Sequence, residues 1–360
     1  MIALISMSAI ADELPLDKLK VVEGFEISVY AELLNPRQMA LSDRGIVFAG
    51  SWQAGNIYAV IDKDQDDVVD EVVTIDKGLI MPTGITLKGN DLYVAALNRI
   101  LVYRNVVTLV ENGKTPPVAE VIYQGLPDKA HHGWKYLDFG PDGNLYFGVG
   151  APCNVCEQDN PWFATIMRMD VTVPNPSPEV YASGVRNSVG FTWHPESGDL
   201  WFTDNGRDLM GDEIPPCELN RAPVAGLHFG FPFEHGNGIE DPGFGPAKTK
   251  TIKPEVALGA HVAPLGVKFY QGELFPDDYQ GDILIAEHGS WNRTPEAGHV
   301  GYRITRVNPE TGEYSVFIDG WLDGQVGWGR PADILELKDG SVLISDDTAN
   351  VIYRVTYRGE

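Results

Sequence analysis

The chain has 360 residues, with 51 acidic against 27 basic side chains and a formal net charge of -24. Such a surface repels phosphate backbones, which sets nucleic-acid binding aside. No uninterrupted apolar stretch approaches the roughly 18 residues a membrane-spanning helix needs.

In chain order, Met1 to Ala11 is apolar and ends in Ala9-Ile10-Ala11, the small-x-small pattern of a signal-peptidase site, without basic residues ahead of it. Residues 1–19 therefore read as a tail, either a signal-peptide remnant or a plain apolar end. From Lys20 to Arg358 we expect one domain. Six short apolar runs, each following Asp, Gly or Asn residues that suit a hairpin turn, recur through it. They are Ile46-Val-Phe-Ala-Gly, Leu92-Tyr-Val-Ala-Ala, Leu145-Tyr-Phe-Gly-Val-Gly, Leu200-Trp-Phe-Thr-Asp, Ile283-Leu-Ile-Ala-Glu and Val342-Leu-Ile-Ser-Asp. Their starts differ by 46, 53, 55, 83 and 59 residues, a loose period of propeller-blade size. Each run is preceded by another short apolar strand. The pattern predicts an all-β, six-bladed β-propeller, in which radial repetition keeps sheet edges short.

Between the first two runs, Asp62, Asp64 and Asp66 alternate as in a calcium-binding loop, with Asp70 following. Asp67 replaces the expected glycine and Val73 stands at the twelfth position, so a calcium staple and a solvated acidic turn both remain open. After the third run, Cys153 and Cys156 are spaced for a tight disulfide, leaving Cys217 over. The usual four zinc ligands are not assembled there. After the fourth run, Asp204-Asn-Gly-Arg-Asp-Leu-Met-Gly-Asp-Glu213 offers carboxylates and backbone carbonyls suited to a hard cation.

In a blade the inner strand lines the channel and the second returns beside it, so the start of one and the end of the other share a rim. The residues ahead of the inner strands then form a ring: Arg37, Thr83, His131, His132, Arg186, Asn187, His261 and Arg330. Loops leaving the second strands add Ser51-Trp52, Ala151–Cys156, Asp204–Asp208, His288–Arg293 and Asp346-Asp347. Three ring arginines, Arg293 and four of the eight histidines predict a cationic cup for an anionic, carboxylate-bearing ligand. The competing reading pairs each arginine with an aspartate such as Asp204, Asp208 or Asp333. His131 and His132 are placed where a general base is useful. His194 falls in a turn at the other end.

These residues carry a resemblance. Ala130-His-His-Gly, Phe139-Gly-Pro-Asp-Gly-Asn-Leu-Tyr, Pro152-Cys-Asn-Val-Cys-Glu157, Ala182-Ser-Gly-Val-Arg-Asn-Ser-Val-Gly190, Trp201-Phe-Thr-Asp-Asn-Gly-Arg-Asp, Leu258-Gly-Ala-His-Val-Ala-Pro-Leu-Gly266, His288-Gly-Ser-Trp-Asn-Arg293 and Trp328-Gly-Arg-Pro331 resemble the glucose/sorbosone dehydrogenase family, most closely its sorbosone branch. The resemblance implies a propeller holding pyrroloquinoline quinone (PQQ) and Ca2+ over the channel, oxidising a small-molecule sugar and passing electrons to an external acceptor, in the periplasm or secreted. It places the general base on His132, the quinone contacts on Arg186, Asn187 and Arg330, and the calcium-ligating carbonyls on Gly206 and Arg207, with Asp212 holding their loop. Arg293 is added as a carboxylate contact from its place on the rim alone. The resemblance fails at two points. Ala151 stands where an aspartate would orient the histidine, and Ala332 where a further arginine would meet the cofactor.

Two other readings are a calcium-dependent lactonase-type hydrolase and a non-catalytic propeller binding a glycan or partner. A nicotinamide enzyme is disfavoured because no strand–Gly-x-Gly-x-x-Gly–helix unit occurs.

Overall fold

The structure is a computed structural model that describes residues 14–359. Alternation along a strand sends successive side chains to opposite faces, and here both faces are apolar. Val47 and Ala49 join one buried cluster while Ile46 and Phe48 join the next. Six such clusters fill the six seams between neighbouring sheets. The second strand of every blade is therefore buried along its length, Asp91 at the start of one excepted, which is why these strands read in sequence as apolar runs.

The sheets are six antiparallel blades arranged in a ring. Their inner strands are Pro36–Leu41, Gly84–Lys88, Leu137–Phe139, Phe191–Trp193, Pro264–Phe269 and Pro331–Glu336. All six predicted runs form the second strand of a blade. The six-bladed propeller is thus the fold. The 83-residue interval is long because residues 223–255 form an excursion before the fourth blade's outer strand. Within it, Leu227–His228 pairs in parallel with Glu179–Ser183 of the third blade, and Glu234–His235 forms a small hairpin with Ile239–Glu240. A second small hairpin, Leu322–Asp323 with Val326–Gly327, stands ahead of the sixth blade.

The ring is closed by the start of the chain. Phe25–Glu32 forms the outer strand of the sixth blade, antiparallel to Val351–Tyr357. Lys20–Val21 extends the fifth blade by pairing with Tyr314–Asp319. Leu14, Leu16 and Leu19, ahead of the expected start at Lys20, pack on the seam between those blades. The Ala9-Ile10-Ala11 segment lies outside the described residues. No helix among the described residues is long and apolar enough to cross a membrane.

Candidate active site

One mouth of the channel opens into a cavity of about 320 Å³. Arg37, His131, His132, Arg186, Asn187, His261 and Arg330 of the expected ring all line it, joined by Trp52, Gly206, Asp208, His288, Trp291 and Asn292 from the returning loops. Thr83 does not. It lies deeper in the channel, where its hydroxyl exchanges hydrogen bonds with the Lys135 backbone. Trp134 and Cys217 also line the cavity and were not placed on the rim from sequence, whereas Asn205 arrives with its expected Asp204–Asp208 loop.

His132 is buried and held in the left-handed region at φ 51°. Its Nδ1 lies 2.8 Å from the Ala151 carbonyl, which accepts the Nδ1 proton and leaves Nε2 as the basic nitrogen. The orienting group missing at Ala151 is therefore supplied by that residue's own backbone. Gly150 makes this contact possible, since a Cβ there would sit 2.6 Å from the His132 Cβ and 2.7 Å from its carbonyl oxygen. Burial, then the Arg186 charge and His131, push the His132 imidazole down to about 2, so it is neutral at any working pH.

The expectation of an uncompensated cationic cup is corrected. Arg37 pairs with Asp347 at 2.5 Å, Arg186 with Asp208 at 3.3 Å and Arg293 with Glu213 at 2.7 Å. His288 Nε2 also meets Asp347, at 3.0 Å. Despite burial, which pushes upward, Arg37 and His288 hold the Asp347 carboxyl well below the usual range. Burial conversely pushes the Arg37 and Arg186 guanidiniums down.

Arg330 differs from these. It has no carboxylate at ion-pair distance among the described residues, its Nε donates to the His288 carbonyl at 2.9 Å, and its guanidinium lies 5.0 Å from the Tyr302 ring. Asp346 fixes it by accepting the Arg330 amide at 2.8 Å, as Asp204 accepts the Arg186 and Asn187 amides. Both aspartates end second strands, so the repeat itself pins these two ring arginines. Arg293 is corrected further. It does not line the cavity, because its guanidinium is consumed by the Gly298 and Asp212 carbonyls and by Glu213.

Gly206 reaches the cavity, while the Arg207 side chain turns away to Asp241, which also takes His235. Neither the Gly206 nor the Arg207 carbonyl accepts a hydrogen bond among the described residues. Asp212 accepts the amide and hydroxyl of Thr294, at 2.8 and 2.7 Å, and so ties the Asp204–Glu213 loop to the His288–Thr294 loop. Beside the cavity, Asn187 Oδ1 is buried without a partner. A buried acceptor left bare costs free energy, so this atom awaits a donor. The bare amide oxygen, the carboxylate-free Arg330 and two unused carbonyls fit a polyanionic quinone with a hard cation.

Far from the cavity, carboxylate oxygens of Asp62, Asp64 and Asp70 lie within 4.8 Å of one another. Asp66 does not join them. Its carboxylate accepts the Val68 amide instead. Cys153 and Cys156 form a disulfide, and Cys217 is free and buried.

Residues 99–290 match the family model described as glucose/sorbosone dehydrogenase. An uncharacterized protein of Borreliella burgdorferi is 36% identical over 375 aligned positions, covering 99% of this chain and 95% of that one. Among solved structures, the holo PQQ domain of a Coprinopsis cinerea pyranose dehydrogenase superposes with a TM-score of 0.77 at 18% identity, covering 94% of this chain and 97% of that one. A PQQ-bound aldose sugar dehydrogenase of Streptomyces coelicolor gives 0.63 at 17% identity, covering 94% and 99%.

Proposed function

The chain belongs to the glucose/sorbosone dehydrogenase family, and we propose that it oxidises an aldose or related sugar, sorbosone- or pyranose-type, by hydride transfer to calcium-bound PQQ. The observation that carries this reading is His132, locked by the Ala151 carbonyl with its basic nitrogen free, in one cavity with Arg186, Asn187 and Arg330. When bound, the quinone supplies a carbonyl carbon that accepts hydride, and calcium polarises that carbonyl. His132 Nε2 takes the proton of the sugar's anomeric hydroxyl as hydride leaves the same carbon. Arg186 and Arg330 would hold cofactor carboxylates, the Asn187 amide would contact the quinone, and the Gly206 and Arg207 carbonyls would hold the cation. Turnover would require an external electron acceptor.

A hydrolytic reading needs a carboxylate cluster around a channel cation. Among the described residues no three His, Cys, Asp or Glu ligand atoms converge in this cavity.

We also place calcium in the Asp62–Asp70 loop, with Asp62, Asp64 and Asp70 as ligands. We place the protein in the periplasm or outside the cell. The disulfide Cys153–Cys156 supports that placement, since such bonds persist in oxidising compartments.

The test is an absorbance titration with PQQ, with and without calcium, followed by a sugar panel and an artificial electron acceptor. Calcium-dependent quinone uptake and acceptor reduction by at least one aldose are expected. Loaded protein that reduces no acceptor with any aldose overturns the reading.

A further inference from the structure

The loop that supplies the His132 acceptor also grips Arg186, and a disulfide closes it. Arg186 Nε donates to the Asn154 carbonyl at 2.8 Å and its Nη2 to Asn154 Oδ1 at 2.9 Å. The same Oδ1 accepts the Asp208 amide at 2.8 Å, while Asn154 Nδ2 donates to the Asp208 carbonyl at 3.0 Å. One side chain thus joins the ring arginine to the loop that carries Gly206. Ala151 adds its amide to the Arg186 carbonyl at 2.8 Å. Asn154 sits between Cys153 and Cys156. Cys153 and Val155 pack against buried Ala151, Ala164 and Phe231. The disulfide itself is only half-buried, so a reductant can reach it.

We propose that Asn154 is a positioning residue for Arg186 and the Asp208 loop, and that the Cys153–Cys156 disulfide holds it in register, which makes cofactor retention sensitive to reduction. This rests on the reading that Arg186 meets the quinone. Reduction by a dithiol breaks the S–S bond. Each sulfur gains one electron and one proton, and the dithiol closes to its cyclic disulfide. The four-residue turn then loses its covalent brace, and the Asn154 contacts lose their fixed geometry. Two of those contacts go to a cation, the stronger kind.

The experiment uses the full chain, oxidised and dithiol-reduced, with Asn154→Ala, Asn154→Ser and Cys153→Ser/Cys156→Ser. Two readouts are taken: PQQ affinity in the presence of calcium, and amide hydrogen exchange across residues 204–213. Reduction and each variant should weaken quinone binding about ten-fold, the scale of a lost hydrogen bond to a charged group. Reduction should speed exchange at the Asp208 amide in the wild type, and should add nothing in Asn154→Ala. Exchange unchanged on reduction, or Asn154→Ala as sensitive to reduction as the wild type, overturns the proposal. If oxidised wild type takes up no quinone, exchange alone decides. Faster exchange then upholds the clamp while removing the cofactor reading, and unchanged exchange removes the clamp.

Discussion

His132 shows what a sequence discloses about a site and what it hides. The histidine pair and the ring position were legible, because a propeller puts equivalent segments on one rim. The group that orients the imidazole was not, because it is a backbone carbonyl and a peptide oxygen carries no letter. The arginine pairings were half legible: Asp208 was weighed as a partner and does pair with Arg186, but nothing local joined Arg37 to its own partner. Asp347, which neutralises Arg37, lies at the other end of the chain. His132→Ala should lower turnover by roughly 100- to 10,000-fold, the range for a lost general base, while PQQ affinity stays within error. Turnover falling only in step with folded yield would remove His132 from the chemistry. Its depressed pKa also sets the pH profile. The basic form persists well below the ordinary histidine value of about 6.5, so kcat/KM of the loaded enzyme should show no acid limb near pH 6.5. A limb there would assign the base to another histidine. Arg330→Ala, the change at the ring arginine without a carboxylate partner, should weaken quinone binding with little loss of stability, as judged by titration and thermal melts.

At the scale of elements, the blades were readable because each second strand serves two seams and has no polar face to disguise it. The outer strands were harder. Phe25–Glu32 is exposed on alternate residues and is far in sequence from Val351–Tyr357, with which it pairs. Phe25 is nevertheless buried among Phe275, Tyr279, Phe317 and Tyr357. Phe25→Ala should cost about 3–5 kcal/mol, the usual range for truncating a core aromatic, measured by urea denaturation. A cost under about 1 kcal/mol would mean the closing strand contributes little. The excursion at residues 223–255 gave no periodic signal at all. For the acidic loop, only three of the four aspartates converge, a selection that the alternation in the sequence does not reveal. Calcium should raise the melting temperature, since a ligand bound only by the folded state stabilises it. Asp64→Asn should abolish that response without touching quinone binding.

Over the whole molecule, burial places acids of unusual basicity behind the ring. Asp333 and Asp346 are pushed up to about 7, and burial raises Asp204 and Glu218 in the same direction. In the unfolded chain these groups have released their protons by about pH 5. The folded state therefore binds more protons between that point and neutrality, and stability falls as pH rises through 7. The buried histidines, depressed in pKa, act in the opposite sense, but only below about pH 6.5. Calorimetry with a chelator present should show a lower melting temperature at pH 8 than at pH 6.5. A flat or rising trend would mean these carboxylates are ionised in the native protein.

The sixth blade is built from both ends of the domain, with residues 25–32 lying against residues 351–357. A chain still on the ribosome can assemble its early blades in turn, yet the circle stays open until residue 357 has emerged. Until then the pairing edge of residues 25–32 has no partner strand. The cup consequently has a complete wall only once residues 25–32 meet residues 351–357.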